Sequence, residues 1–449
     1  MLFSCKYGRA RQIISSAFIQ ETGLTATRPP LPTRACYVRA TRWLFWLLSA
    51  FAVLVLGLQA AATGVFDIRR VFYGVIGTLL WFGLMAASST ASLVLLCIIR
   101  KKEWLPLAVG WAGCALLLDR VDPGMAMWWK LSVASFLVLL ARLAIFRFQR
   151  RPHRFPQEVV RTALLPAIGC LPVGYVLFCS GLIRSEAHDL KAMLIDIALG
   201  GQSFQICHWV RSSPSLALVL FYAYQLVPLG LFGLFWLGYR KGRMGAEVIF
   251  HFCLASFIGA VFYGLVPIVG PIYTFANYAQ HLPRVDLILL NLNQTLLLPP
   301  SYPRNCMPSL HLTWALLFCL HARRHGRWVQ GAAVLFALVT VLTTLGLGFH
   351  YAVDLIPSFP FALLIYGVVP DRRWRPDRTM LIQLALFLFW DFSPLFLAAS
   401  MYQFPWVTRF LAMGTIAAFF IVQGRFRTCS EISKAKAVPL PLQAMSSHP

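Results

Sequence analysis

Long apolar runs alternate with short polar segments along the chain from residue 43 onwards. A membrane-spanning helix needs roughly 20 apolar residues, and we interpret twelve of these runs as candidate spans. They lie at 43–66, 71–99, 104–118, 125–146, 160–183, 215–238, 246–266, 308–322, 328–348, 350–369, 379–400 and 406–423. The pattern predicts an all-α fold: a polytopic membrane helical bundle with about 12 transmembrane helices.

The composition supports this prediction. Hydrophobic residues make up 59% of the 449 residues and charged residues only 12%, whereas soluble domains carry about 25% charge. A single soluble domain and a disordered chain are therefore both excluded. The 11 cysteines include no CxxC pair, so the sequence supports neither a zinc nor a redox motif.

The net charge of +24 indicates a membrane topology when the position of each charge is considered. In a soluble protein such basicity would suggest nucleic acid, but Lys and Arg of membrane proteins collect in cytoplasmic loops. With a cytoplasmic N-terminus, 29 of the 40 cations lie inside, 10 lie outside, and Arg142 lies near an inner helix end. The distribution predicts cytoplasmic termini and gives no reason to expect nucleic acid as a partner.

Two long outside segments, 184–214 and 267–307, are predicted as loops. Loops of this length often carry function. In the first loop, Asp196 and His208 are interpreted as solvated, with contact to a polar headgroup as the alternative. The chain shows no convincing internal repeat, so the inverted-repeat signature of secondary transporters is not evident.

Two short motifs bring titratable residues to the outer ends of candidate spans. The first is Pro308-Ser309-Leu310-His311, and the second is His350-Tyr351-Ala352-Val353-Asp354. The topology places both at the same membrane depth, although they come from different parts of the chain. Ionisable residues in such positions are costly and usually functional.

The residue types in these motifs suit phosphoryl transfer. If a helix begins by His350, that imidazole and Asp354 share one face at i, i+4 spacing. The carboxylate would then fix the tautomer of His350 and make its other nitrogen a better nucleophile or base. His311 could protonate a leaving oxygen, and Ser309 with the nearby amides of a helix N-terminus suits a phosphate oxyanion.

Simpler interpretations exist for each of these and for other polar residues. A lone histidine near a helix end is usually an interfacial residue. Zinc binding by Cys306, His311, His350 and Asp354 has no supporting motif spacing.

Tyr222 and Tyr224 fit an interfacial aromatic belt better than a lipid cavity. Asp391 fits a structural pair, with Arg409 or Lys130 at similar depth, or a neutral acid, and the alternative is a substrate-path or helix-locking role. Cys207 and Cys306 are both outside and could pair.

At the two motifs the chain resembles the type-2 phosphatidic acid phosphatase superfamily. The Pro308–His311 stretch is similar to the second motif of that superfamily, and the His350–Asp354 stretch is similar to the third. The forms PSLH and HYxxD resemble the inositol phosphorylceramide synthase (inositolphosphotransferase) branch most. Gly264-Leu265-Val266-Pro267 and Gly270-Pro271-Ile272-Tyr273 are similar to the segment before the second motif of that branch.

The resemblance implies a metal-independent enzyme with a six-helix core over about residues 160–370. It implies that His350 is the nucleophile that forms a phosphohistidine, that Asp354 orients it, and that His311 is the general acid and base. Ser309 would contact the phosphate. No cofactor and no metal are implied.

The chain departs from the superfamily in its basic residues. The first motif, KxxxxxxRP, is absent from any usable place, and Thr344 stands where the third motif has an arginine. Ser358 is followed by Phe359 and Pro360 at the end of that motif. These losses argue against simple phosphomonoester hydrolysis. A dianionic phosphate still favours cations, and the outside candidates are Arg304 and Arg284, with ordinary headgroup contact as the alternative.

We therefore predict an integral-membrane lipid phosphotransferase with an extracytoplasmic active site and membrane lipids (phospholipid, sphingolipid or polyprenyl phosphate) as substrates. The alternatives are a lipid phosphate phosphatase with water as acceptor, and a non-catalytic lipid transporter. A bacterial inner membrane is favoured over the Golgi or ER. The predicted regions are a cytosolic segment 1–42, an accessory four-helix region 43–146, the core 160–370, two additional helices 379–423 and a cytosolic tail 424–449.

Overall fold

The computed structural model describes residues 186–435, apart from short gaps, together with isolated helical positions between 39 and 138. The gaps are 225–226, 241–244, 276, 295, 300–301, 303 and 369–376. The predicted segment 1–42, the region 43–146 and the span 160–183 lie wholly or almost wholly outside the described residues. So do most of the arginine clusters on which the predicted topology depends.

The described part of the chain is almost entirely helical. A two-residue strand, β1 (Glu186–Ala187), pairs antiparallel with β2 (Leu296–Leu297), with Glu186 opposite Leu297. The helices are α1 (Asp189–Leu199), α2 (Gln202–Arg211), α3 (Pro214–Tyr224), α4 (Val227–Arg240), α5 (Gly245–Leu265), α6 (Pro271–Thr274), α7 (Val285–Leu290), α8 (Leu310–Ala322), α9 (Arg327–Gly346), α10 (Ala352–Leu355), α11 (Ser358–Gly367), α12 (Arg378–Phe396), α13 (Ala398–Gln403) and α14 (Pro405–Ala435). A 3-10 turn, Arg323–His325, joins α8 to α9.

Four of the helices in the described part are long and apolar enough to cross a membrane. These segments are Ala246–Leu265, Arg327–Gly346, Arg378–Phe396 and Pro405–Gly424. They match the predicted spans 246–266, 328–348, 379–400 and 406–423 to within a few residues. Two shorter apolar stretches, Pro214–Tyr224 and Ala352–Gly367, accompany them. The protein is a helical membrane protein.

Several predicted boundaries differ from the structure. The predicted span 350–369 is two helices, α10 and α11, because Tyr351 is extended and Pro357 lies between the helices. Proline has no N–H for the helical ladder. The predicted span 215–238 appears as α3 and α4. The last helix continues beyond 423 to Ala435, so the first part of the predicted tail is helical.

The predicted loop 184–214 is wrong as a description of that segment. It contains α1 and α2, and nine of the eleven residues of α1 are buried. The helix ends at two consecutive glycines, Gly200 (φ 117°) and Gly201 (φ 65°), whose left-handed backbone is typical of a helix C-terminus. The helix packs against α10, α12, α13 and α14, which explains why so short a segment is buried.

The centre of the bundle is α8. It packs against α4, α5, α9 and α11, and its apolar residues share one buried cluster with those helices. The contact with α5 is close at Gly259, where an added Cβ would lie 2.6 Å from the Cδ2 atom of Leu310. Small residues at such crossings let membrane helices approach closely. This crossing fixes the first residue of α8, which directly precedes His311.

Candidate active site

His350 lies just before a helix, held by backbone hydrogen bonds. The N–H groups of Phe349 and His350 donate to the carbonyl of Thr344 at 3.0 and 3.2 Å. Tyr351 is extended, and the helix begins only at Ala352. The expected helix start by His350 is therefore wrong, because Asp354 accepts the N–H of Tyr351 at 2.8 Å and so caps a helix that starts later.

The contact between His350 and Asp354 nevertheless forms. The Nδ1 atom of His350 lies 3.6 Å from Oδ2 of Asp354, and both side chains are buried. This distance is longer than a hydrogen bond. Two charges at this distance nevertheless interact strongly when both are buried away from water. The carboxylate occupies the Nδ1 side of the ring, which leaves Nε2 as the nitrogen available for chemistry.

Ser309 joins the two motifs at this point. Its Oγ lies 3.5 Å from Nε2 of His350, and its N–H donates to the carbonyl of Asp354 at 3.1 Å. The Ser358 hydroxyl donates to the Ser309 carbonyl at 3.0 Å. Ser309 is fully buried and caps α8 by accepting the N–H of Leu312. The two sequence motifs thus form one cluster, with the start of α8 against the start of α10.

His311 is held by an aromatic residue from a distant helix. The hydroxyl of Tyr224 shares a hydrogen bond of 2.9 Å with Nδ1 of His311, and the two rings stack with centroids 3.8 Å apart. His311 and His350 are also electrostatic neighbours. Tyr222 is 43% exposed, as an interfacial residue should be, but Tyr224 is part of the site.

The two arginines predicted to bind phosphate have other contacts in the structure. Arg304 is fully buried, and its guanidinium donates to the carbonyls of Leu298, Pro299 and Tyr302 at 2.7–3.0 Å. Arg284 is exposed and pairs with Asp286. Their binding of phosphate stays a prediction, while the contacts present hold the loop before α8 and the start of α7.

Another arginine, Arg211 at the end of α2, contacts the backbone shortly before His350. Its Nη2 donates to the carbonyl of Leu347 at 2.9 Å, three residues before His350. Thr344, which replaces the motif arginine, uses its hydroxyl within α9, where it donates to the carbonyls of Thr340 and Val341. No sequence motif links Arg211 to this segment, so sequence reasoning missed it.

Two buried carboxylates of α1 hold the segments around the site. Asp189 accepts the N–H groups of Val269 and Gly270 and the hydroxyl of Tyr351 at 2.9–3.3 Å. Asp196 accepts the Ser203 hydroxyl at 2.6 Å and the N–H of Ala352 at 2.7 Å. The expectation that Asp196 is solvated is wrong, because α1 is a buried helix.

Burial shifts the acidity of these carboxyl groups. It raises the pKa of Asp189, although the hydrogen bonds from Val269 and Gly270 act in the opposite direction. It raises the pKa of Asp196 from 3.8 to about 6, against the hydrogen bonds from Ser203 and Ala352. Desolvation disfavours the ionised form of a carboxyl group, so both groups hold protons at higher pH than usual.

The backbone carbonyl of Phe349 packs against Gly270 and Cys306. Gly270 has φ 108°, and an added Cβ would lie 2.4 Å from that carbonyl oxygen. The thiol of Cys306 donates to the same oxygen at 3.0 Å. Only glycine satisfies both the backbone angle and the close approach. The Gly270–Tyr273 stretch noted in the sequence therefore supports the residue that precedes His350.

Cys306, His350 and Asp354 offer ligand atoms within 4.8 Å of one another, so a metal at the site has to be considered. A thiol must lose its proton to bind zinc. Burial raises the pKa of the Cys306 thiol well above its ordinary value, which disfavours that ligand.

Cys207 and Cys306 are both free thiols, so the disulfide considered from the sequence is not formed.

Of the pairs considered for Asp391, the one with Arg409 is not formed. It is fully buried in α12, and neither carboxylate oxygen has a hydrogen-bond partner among the described residues. Arg409 instead donates Nε to the carbonyl of Ala198 at 2.8 Å, at the end of α1. Lys130 lies outside the described residues.

Apolar helices and a buried histidine–carboxylate pair define a membrane protein with a candidate catalytic centre, and a family comparison gives its class. The model of the PAP2 superfamily matches residues 191–368, a segment that lies within the predicted core 160–370. The matched segment is similar to the PAP2 superfamily, and this similarity indicates an enzyme of the phosphatase or phosphotransferase type. Comparisons with curated proteins and with solved structures gave no match.

Proposed function

We propose that the protein is an integral-membrane lipid phosphotransferase that moves a phosphoryl group or phospho-headgroup from one lipid to another through a phosphohistidine. The observation that carries the proposal is the arrangement of His350. Asp354 lies 3.6 Å from its Nδ1, Ser309 lies 3.5 Å from its Nε2, and a second histidine is positioned beside it. This is the arrangement that a histidine nucleophile needs.

In the first step, Nε2 of His350 attacks the phosphorus of the donor lipid. The N–P bond forms as the P–O bond to the leaving alcohol breaks, and Asp354 stabilises the positive charge that develops on the ring. His311 gives a proton to the leaving oxygen. As a general acid His311 is an imidazolium with a proton on each nitrogen: Nδ1–H donates to the Tyr224 hydroxyl oxygen, and Nε2–H is the proton that is given up.

In the second step, the hydroxyl group of the acceptor gives its proton to His311 and attacks the phosphorus. The new P–O bond forms as the N–P bond breaks, and neutral His350 is restored. The histidine that acted as an acid thus acts as a base, which microscopic reversibility requires of a double displacement. No metal ion takes part in this scheme.

The cations support a transferase rather than a phosphatase. Arg304 and Arg284 are engaged elsewhere, and among the described residues Arg211 contacts the carbonyl of Leu347, three residues before His350. A bidentate guanidinium suits a phosphate oxygen pair. One cation suits the monoanionic diester of a phospholipid headgroup better than the dianionic monoester that a phosphatase cleaves. The likeness of PSLH and HYxxD to the inositolphosphotransferase branch supports the same conclusion.

The experiment uses purified protein in lipid nanodiscs that contain phosphatidylinositol, diacylglycerol, ceramide and polyprenyl phosphate. We compare the wild type with His350→Ala, His311→Ala and Arg211→Gln, and follow lipid products by mass spectrometry. Loss of either histidine should lower turnover by about 10²-fold or more. Loss of Arg211 should raise the KM for the donor. The exposed His208 provides the matched control, His208→Ala.

Each alternative gives a different result. Equal turnover in the wild type and both histidine variants would contradict the catalytic assignment. Release of inorganic phosphate without a new phospholipid would indicate a phosphatase with water as acceptor. Movement of lipid across the bilayer that survives loss of His350 would indicate a transporter.

A further inference from the structure

A second cluster of titratable side chains lies at the other end of α8. It consists of Glu247 and His251 on α5 and His321 on the last turn of α8. His251 is 1% exposed and His321 is 2% exposed. Ten residues separate His321 from His311 along one helix, which corresponds to about 15 Å at 1.5 Å per residue. The cluster is therefore separate from the candidate active site.

The ligand atoms of this cluster converge on one point. Glu247, His251 and His321 each offer one ligand atom, and these atoms all lie within 4.8 Å of one another. Nδ1 of His251 lies 3.1 Å from Nε2 of His321. Glu247 and His251 share a helix face because they are four residues apart. Two imidazole nitrogens and a carboxylate form a set of ligands that zinc enzymes use.

The hydrogen bonds around the cluster fix the orientation of one ligand. Nε2 of His251 lies 2.9 Å from the carbonyl of Val368. A carbonyl only accepts, so Nε2 carries the proton and Nδ1 presents a lone pair towards His321. A metal-binding histidine usually donates its second nitrogen to such a carbonyl. Arg324 donates to the Glu247 carboxylate and to the Tyr366 hydroxyl; a carboxylate has a second oxygen for a further contact.

We propose that Glu247, His251 and His321 form a binding site for a divalent transition-metal ion, and that its ligand set is suited to zinc. The ion replaces the hydrogen bond between the two imidazoles: Nδ1 of His251 and Nε2 of His321 bind it, and the proton of His321 moves to Nδ1. A Glu247 oxygen is the third ligand and a water molecule is the fourth. The ion would join α5 to α8 close to the end of α11, so its role is to hold these helices together.

The test uses the wild-type protein after treatment with a chelator and removal of that chelator. Cobalt(II) is the probe, because its visible bands report tetrahedral coordination, and zinc is then used to displace it. We expect one equivalent of cobalt per chain. His321→Ala should weaken cobalt binding by more than about tenfold, since even an outer contact of a metal ligand contributes about 10- to 100-fold. His281→Ala removes an exposed histidine and should leave the binding unchanged.

X-ray absorption of the zinc-loaded wild type provides a measurement that needs no variant. It should show two imidazole nitrogens, oxygen ligands and no sulfur. Sulfur in the shell would place the ion at a cysteine, such as Cys306 of the other cluster, and contradict the proposal. Equal cobalt binding in His321→Ala, or no binding by the folded wild type, would contradict it as well.

Discussion

At the scale of single residues, the two histidines of the site are held in different ways. Backbone hydrogen bonds to Thr344 fix His350, whereas the ring of His311 is held by the side chains of Tyr224, which also hydrogen-bonds its Nδ1, and Trp314. A residue held by its backbone keeps its place when one neighbouring side chain is changed. The position and protonation of His311 should therefore depend strongly on the Tyr224 hydroxyl.

Replacing Tyr224 by phenylalanine tests this dependence. The stacked ring remains, but the hydrogen bond to Nδ1 of His311 is lost, so kcat should fall by about tenfold, the effect of a hydrogen bond worth about 1 to 1.5 kcal/mol. The KM for the donor lipid should change little. The measurement is steady-state lipid turnover, and Tyr222→Phe, on the exposed neighbour, is the matched control. Equal kcat values for the two variants would show that the hydroxyl does not act on His311.

The sequence indicates the proximity of His350 and Asp354 better than the residues around the candidate site, for a physical reason. His350 and Asp354 are four residues apart, so local geometry brings them together. Tyr224 lies 87 residues from His311 along the chain, and Arg211 lies 136 residues from Leu347. Their contacts arise from helix packing, which no short motif encodes.

At the scale of elements, α1 is the part of the structure that the sequence pattern conceals most. Asp189, Lys191 and Asp196 within eleven residues make the segment look like a solvated loop. In the structure the two carboxylates face inward, where main-chain N–H groups and hydroxyls donate hydrogen bonds to them. A charged residue indicates solvent exposure only when no buried group pairs with it. The partners of Asp189 and Asp196 lie in other segments of the chain, so the sequence of α1 does not reveal them.

The raised pKa of Asp196 predicts a dependence of stability on pH. Its pKa is 3.8 ordinarily and about 6 in the folded protein, so the folded state binds more protons than the unfolded state between these values. The free energy of unfolding should therefore fall as pH rises from about 4 to 6. A shift of about two units corresponds to about 3 kcal/mol.

Thermal unfolding of the wild type and Asp196→Asn, measured between pH 4 and 7, checks this prediction. Asparagine cannot ionise, so the melting temperature of the variant should fall less than that of the wild type as pH rises from about 4 to 6. Asp189 is present in both proteins, and its contribution cancels in the comparison. Parallel pH profiles for the two proteins would show that Asp196 does not titrate in this range.

At the scale of the whole molecule, the helices that follow the segment matched by the family model are part of the same packing unit. The family match ends at residue 368, yet α12, α13 and α14 all pack against α1, and α12 and α14 also pack against α11. The Trp390 indole donates to Thr415 at 2.9 Å, and Arg323 donates to the Gln423 carbonyl at 2.6 Å. The two additional helices predicted at 379–423 therefore support the catalytic segment directly.

Deletion of residues 378–449 should consequently remove turnover and prevent a monodisperse peak in detergent size-exclusion chromatography. The deletion uncovers buried apolar surface of α1 and α11, which is unfavourable in proportion to its area. Deletion of 436–449 alone removes no described helix and provides the control. A shortened chain that ends at 377 and retains wild-type turnover would contradict this role.

The contact between Arg409 and Ala198 also bears on how the protein is made. The two residues are 211 positions apart, and synthesis proceeds at about 5–20 residues per second. The ribosome therefore completes α1 roughly 10–40 seconds before α14 can reach it. Until then, α1, which carries the buried Asp189 and Asp196, lacks its contacts with α14. The candidate active site therefore acquires its full support only at the end of translation.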